Sequence, residues 1–397
     1  MTSFRYYAAG ALSGAMLVLA STALPSCASD EVGTMTDPDA AVSVPSPDAD
    51  TGDAAGRETA PCTSDDCEYF PAACTPDVLC LDGPFDPVNP DVGFDWRTRI
   101  NVIRGRSEND VWVAGAAGAV AHFDGASWGI SDVATKETQH VLWLRDGVEI
   151  AFGSFQRMYT RGLGGDADAA VSPGGWTWRE LPKRPDDFGD RLRASWAAPG
   201  SDVLWLATNS TLWRMVPAPD SAFEIQAGLP SGACGVIRCD QILAIHGAST
   251  KTVWAVGEQG TALRVADADT DAPVATPLNS MTHNGLTGVW AASDTDVWAV
   301  GGSGTIRHYT GGPVQWEVIA NLPTNENLNA VWGSSSSDVW VVGNRGVVLH
   351  YDGTSWTRVK IAGLGARRPD LHAAWSPSPG KIWIGGAGVV LALGGKP

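Results

Sequence analysis

Histidines, cysteines and a short run of aspartates are the side chains in this chain whose types and spacing could do chemistry. His122, His308 and His350 stand at one repeated place, in "VAHFDG", "IRHYTG" and "VLHYDG". An imidazole near its ordinary pKa could serve as a general base. A catalytic group is seldom repeated at each step of an internal repeat, however, so these three read as structure. His246 occupies a place where other copies carry Trp290, Trp332 and Trp375, which makes it a variant core position. His372 falls on an innermost apolar run and stays a candidate binding or catalytic side chain.

Metal and cofactor chemistry finds little support. "DADTDA" puts Asp267, Asp269 and Asp271 at the one-three-five spacing of a calcium loop, but the sixth position is Ala272 and the twelfth Leu278. The turn glycine and the bidentate glutamate are both missing, so a solvated acidic loop is expected. The chain contains no Walker loop, H-E-x-x-H or Rossmann fingerprint. "GGSGT" (301–305) lies between two strand-like runs and opens no helix that could cradle a phosphate. No metal and no cofactor are therefore expected.

The cysteines point to an oxidising compartment. Cys62, Cys67, Cys74 and Cys80 crowd into "PCTSDDCEYFPAACTPDVLC", and Cys234 and Cys239 flank "GVIR". With Cys27 set aside, six remain, and an even number in an exported chain reads as disulfides. Cys234–Cys239 is expected to close a small loop, and the other four to pair among themselves in one of three ways. Zinc is the competing idea, but no C-x-x-C pair occurs.

The elements that would position these groups are strands. All 18 tryptophans lie between Trp96 and Trp383, so the large-side-chain core belongs to the last three quarters of the 397 residues. Anchoring on the Trp of "DVW" gives Trp112, Ile150 in "VEIAFG", Trp205, Trp254, Trp298, Trp340 and Trp383, with steps of 38, 55, 49, 44, 42 and 43 residues. Steps in the low forties with four short apolar runs each are the signature of propeller blades. The sixth copy shows the parts: "LNAVWGS", "DVWVVGN", "GVVLHYD" and "SWTRVK", separated by turn-forming residues. "VWVVG" is apolar without alternation, as in a strand covered on both faces. The expected fold is an all-β, seven-bladed propeller over 91–397, preceded by a Cys-rich segment (61–90). Its seventh copy stops without an outer strand. "VGFDWRTR" (92–99) matches "DGTSWTRV" (352–359), so the Trp96 segment is expected to supply that strand and close the ring.

The N-terminal "MTSFRYYAAGALSGAMLVLASTALPSC" has a basic Arg5 followed by a short apolar stretch, the layout of a secretory signal (1–27). "LPSC" resembles a bacterial lipobox, which implies lipid attachment at Cys27. Ala28 after it implies, by the same resemblance, the outer membrane of a Gram-negative cell. A plain signal peptide cut nearby is the alternative. Residues 28–60 hold almost no large apolar side chains and are expected to form a disordered acidic tether spanning roughly 30 Å. Residues 28–95 carry 16 acidic side chains against Arg57 alone, a net −15, whereas the part after Asp95 has 25 basic and 28 acidic residues, a net −3. The overall −17 thus describes a tail, and no basic stripe offers itself to a phosphate backbone, which excludes nucleic acid.

Residues 92–397 resemble the Trp-rich propeller repeats of bacterial surface lipoproteins and, more distantly, sialidase-type Asp-box and photosystem-assembly-type propellers. The resemblance implies ligands on the face that bears the inter-blade connections. Those connections vary most here, and variation on a constant scaffold is how such folds acquire specificity. Asp186, Asp187, Arg345, Arg367, Arg368 and His372 are the polar candidates on that face. Trp178 and Trp213 fit the repeat poorly and are candidate stacking platforms, with core packing the bland reading for both. The expected function is a surface-tethered binding or scaffolding module for a protein or glycan. The alternative is an extracellular, glycan-directed hydrolase or lyase with its acids or His372 at the channel mouth.

Overall fold

The computed structural model describes residues 67–86, 92–164, 170–185, 191–219, 222–230, 232–237, 239 and 241–393. The chain separates into two units, 1–60 and 61–397, and the second is the one described below. The signal segment with Cys27, the acidic tether 28–60 and Cys62 lie outside the described residues.

Each "DVW" phrase becomes the second strand of a four-stranded antiparallel sheet. In blade six the strands are Leu328–Ser335, Asp338–Gly343, Val348–Tyr351 and Trp356–Arg358, running from the innermost to the outermost. All six residues of Asp338–Gly343 are buried, because adjoining sheets cover both faces of the strand. Each fully buried Val or Leu in such a strand contributes about 1.5–3 kcal/mol. The turn to the third strand places Arg345 (φ 54°) and Gly346 (φ 68°) successively in the left-handed region, the geometry of a tight hairpin. The described residues form seven such sheets. Blade two, degenerate in sequence, is Val141–Arg145, Val148–Phe152, Arg157–Arg161 and Thr177–Glu180, with Ile150 at its expected anchor.

Neighbouring blades lock through tryptophan on glycine. A Cβ built on Gly333 of blade six would lie 2.6 Å from Trp290 of blade five, and one on Gly105 of blade one 2.4 Å from Trp375 of blade seven. Only glycine permits that approach.

The ring closes with an N-terminal outer strand, but a different one from that expected. Blade seven consists of Leu371–Ser378, Lys381–Gly386, Val389–Leu393 and, outermost, Leu79–Leu81. Leu79 and Cys80 are buried, whereas Trp96 is 62% exposed. Leu79 pairs with Leu393 and is also tied to the exit of blade six, donating to the Lys360 carbonyl at 3.0 Å and accepting from the Ala362 N–H at 2.8 Å. The Trp96 segment instead crosses the edge of blade seven, where the Gly388 N–H bonds to the Thr98 carbonyl at 2.9 Å. Within the Cys-rich stretch, Leu79–Leu81 is thus part of the propeller. Phe70 packs with Leu79, Ile361 and Leu364, and Cys74–Cys80 holds the closing strand to the loop before it. Cys234–Cys239 closes the expected small loop, and Cys67 is also disulfide-bonded.

Candidate functional site at the channel mouth

The inner strands begin with a recurrent irregularity. Six of them slip by one residue at their first turn of pairing, as between Leu328 and Ala330 or between Leu371 and Ala373. Blade two enters regularly, with His140 preceding Val141 at the same level. A bulge re-aims the extra side chain, here towards the central channel. The seven residues at this level, from blade one to blade seven, are Asn101, His140, Arg193, Leu243, Thr287, Asn329 and His372. All of them line one cavity of about 220 Å³.

Three of the seven have a structural task. Asn101 Nδ2 donates to the Gln139 carbonyl at 3.0 Å, Thr287 Oγ1 to the Leu328 carbonyl at 2.5 Å, and Asn329 Nδ2 to the Leu371 carbonyl at 2.8 Å. Each bond joins one blade to the start of the next. His140 and His372 make no side-chain hydrogen bond among the described residues. Arg193 reaches outward to Asn209 Oδ1 at 2.5 Å. The basic members sit together on blades seven, two and three, beside Arg99, whose Nε holds Asn101 Oδ1 at 2.7 Å. Leu243, Thr287 and Asn329 make the facing arc neutral.

Below the rim the wall is small and apolar: Val102, Ala194, Ala244, Gly288, Ala330 and Ala373. The floor is built where Arg104 and His246 replace the tryptophan of other blades. The Arg104 guanidinium lies 5.0 Å from the Trp332 ring centroid, and His246 meets the same ring edge-on at 5.0 Å and 87°. Trp332 belongs to blade six and touches groups from blades one and four, so it reaches across the ring axis.

The lining contains no aspartate or glutamate; its ionisable residues are Arg104, His140, Arg193, His246 and His372. Burial and then the Arg104 charge push His246 down to about 3. Its Nδ1 accepts the Ala291 N–H at 3.1 Å, which fixes the neutral form. Burial, Arg99 and Arg193 lower His140. Burial and Arg99 lower His372, with Asp370 opposing. Burial alone brings Arg104 down to about 10, which leaves it charged at neutral pH.

The His246 shift has a stability consequence with a definite sign. Below pH 6.5 the unfolded chain binds a proton that the folded chain refuses until about pH 3. The folded state therefore loses about 1.4 kcal/mol per pH unit from this group across that window, and nothing above it. His246→Asn keeps an acceptor for Ala291 and removes the titration. Its urea midpoint should fall less steeply between pH 6.5 and 4.5 than that of the parent chain, and equal slopes would refute the assignment.

The other sequence candidates scatter. Arg345 sits on the same face, its backbone N–H on Asp370 Oδ1 at 3.0 Å and its side chain 3.4 Å from Glu326. Arg367 donates to the Gly388 carbonyl at 3.0 Å, in a turn of blade seven, and Arg368 lies 3.6 Å from the ring centroid of Phe70, which packs with Leu79. Trp213 is buried in the core between blades two and three and offers no platform. Trp178 is half exposed on the outer strand of blade two, under Arg157 at 4.7 Å, away from the mouth. Asp186 and Asp187 lie outside the described residues. The repeated histidines are structural: His122, His308 and His350 bond Asp110, Asp296 and Asp338 at 2.7–2.8 Å and stack on Trp112, Trp298 and Trp340. Of the mouth, sequence reading singled out His372 alone. Aligning the second residue of each inner run would have found Asn101, Arg193 and Asn329.

No protein-family model and no curated protein matches the chain. Among solved structures it is similar to YCF48 from Cyanidioschyzon merolae, at 14% identity and a TM-score of 0.58, covering 75% of this chain and 95% of that one. It is similar to a YCF48 bound to a D1 peptide, at 17% identity and a TM-score of 0.59, covering 81% and 96%. It is also similar to the WD40 β-propeller domain of Doa1, at 11% identity and a TM-score of 0.56, covering 79% and 96%. At these identities the likeness shows the fold: the chain is a seven-bladed β-propeller.

Proposed function

We propose that this chain is a propeller-type binding module, anchored through a lipid on Cys27 at the outer membrane of a Gram-negative cell, that presents the channel mouth to a protein partner. The observation that carries the reading is the mouth ring. Equivalent positions on a repeated scaffold hold seven side chains of five kinds, and only three of them tie blades together. The rest are free to vary for a ligand. That a YCF48 of similar fold binds a peptide supports a polypeptide as the class of partner. A glycan partner is less well served, because Trp332 on the floor is the single tryptophan of the lining. The catalytic alternative draws no support from the mouth, where no pair of acids converges.

A photocrosslinking residue at Leu243, which ties no blades, should capture a defined protein partner in cells of the source species, whereas the same residue at Trp178 should not. Capture at both positions or only at Trp178 would move the docking face away from the mouth. Cys27→Ala should abolish metabolic labelling with a fatty acid, and labelling that persists would remove the lipid anchor.

A further inference from the structure

We propose that the cup at the channel mouth is a carboxylate-binding pocket, in which Arg104 takes the carboxylate at the floor, the small apolar wall holds a short aliphatic stem, and the His372–His140–Arg193 arc faces the anionic side. The proposal rests on reading the mouth as the binding face and adds the chemistry of its ligand.

Three observations carry it. Arg104 Nη1 donates to the Ile103 carbonyl at 2.8 Å, and no carboxylate pairs with the guanidinium among the described residues. A cation lining a cavity without a counter-charge is costly unless an anion or water answers it. Next, the imidazole and guanidinium groups of the rim are one-sided. His372, His140 and Arg193 stand on blades seven, two and three, with Arg104 of blade one below them, while at the rim level blades four to six present Leu243, Thr287 and Asn329. Last, the wall between rim and floor is mostly small and apolar, with Val102, Ala194, Ala244, Gly288, Ala330 and Ala373, which suits a narrow aliphatic chain better than a bulky or heavily hydrated group.

A carboxylate fits this set better than a phosphate does. The floor supplies a single arginine fork, which matches one planar carboxylate in two parallel hydrogen bonds. Lysines and a helix N-terminus, common parts of a phosphate site, are not in the lining. The carboxylate could come from a free small acid or from the end of a polypeptide. The two sources share the chemistry at Arg104 and differ in what extends through the rim.

Calorimetric titration of the full chain separates these cases. The probes are butyrate, inorganic phosphate, and acetyl-trialanine with a free or an amidated C-terminus. Butyrate or the free-acid peptide should bind at millimolar concentrations, and the amide and phosphate should not. Arg104→Gln should weaken that binding about tenfold or more, with Arg157→Gln on the third strand of blade two as a neutral control. If Arg104→Gln melts early, Arg193→Gln tests the rim in its place, with a smaller loss expected. Butyrate binding without the peptide would identify a free acid, and tighter binding of the peptide a chain terminus. Equal binding of the acid and amide peptides, or tighter binding of phosphate, overturns the proposal, as does binding unmoved by both substitutions. If no probe binds while the Leu243 crosslink persists, the carboxylate pocket is lost and the docking face stands.

Discussion

Leu79→Asp should abolish the cooperative unfolding transition of the propeller, while Trp96→Ala should leave it nearly unchanged. Leu79 is fully buried among Ile361, Leu371, Ile384 and Leu391. Truncation to alanine alone would cost about 2–5 kcal/mol through lost burial and the cavity left behind. Aspartate adds the desolvation of a charge with no cation in that cluster, which costs several kcal/mol more. Total stabilities of about 5–15 kcal/mol leave little margin for such a loss. The strand Leu79–Leu81 is also the outer edge of blade seven, so its release exposes the unpaired side of Val389–Leu393 and invites aggregation. Trp96, by contrast, is exposed, its ring centroid 5.9 Å from the exposed Arg97 guanidinium. Near-UV circular dichroism on heating reads both variants. A large loss at Trp96 with a mild one at Leu79 would reverse the assignment of the closing strand.

That pair of residues also shows why part of the fold was legible and part was not. The "DVW" phrase carries its own structure: continuous apolar residues dictate a strand buried on both faces, and the turn residues flanking it dictate the hairpins. Repetition then supplies the number of blades, including blade two, where Ile150 stands in for tryptophan. The closing strand has no such help. "VLCL" is four residues in a Cys-rich, Pro-rich stretch, and its pairing is specified by the partner edge Leu391–Leu393 rather than by its own pattern. The Trp96 segment copied the spacing of an outer strand but lacked apolar residues to bury, and local likeness misled.

The site was less legible for a related reason. A bulge is a property of two paired strands, so Asn101 and Arg193 share a place in the inner runs that the sequence displays, while their turn into the channel is set by a pairing that no single run shows. His246 was visible as a departure from the repeated tryptophan, and Arg104, at the same place in blade one, was missed. Their meeting at Trp332 from opposite parts of the ring needed the closed circle to bring blades one, four and six together.

Asp338→Ala should cost about 3 kcal/mol or more, and clearly more than Asp110→Ala at the same place in blade one. Asp338 accepts Trp340 Nε1 at 3.0 Å and His350 Nε2 at 2.7 Å, and Ser334 Oγ donates to its other oxygen. His350 is in turn stacked on Trp340, with ring centroids 4.1 Å apart, so the three residues brace the second and third strands of blade six as a unit. Removing the carboxylate leaves a buried indole N–H and a part-buried imidazole without an acceptor, each costing about 1–3 kcal/mol. Asp110 makes the equivalent bonds to Trp112 and His122, but its side chain is 30% exposed where that of Asp338 is 9%. Water can replace the lost acceptor in blade one and reaches blade six poorly. A double-mutant cycle of Asp338→Ala with His350→Ala, followed by urea unfolding, should give a coupling of about 1 kcal/mol or more, as residues sharing one hydrogen-bond network do. Equal costs at Asp338 and Asp110, or strict additivity in the cycle, would mean that the repeated Asp–His–Trp groups stack without bracing the blades.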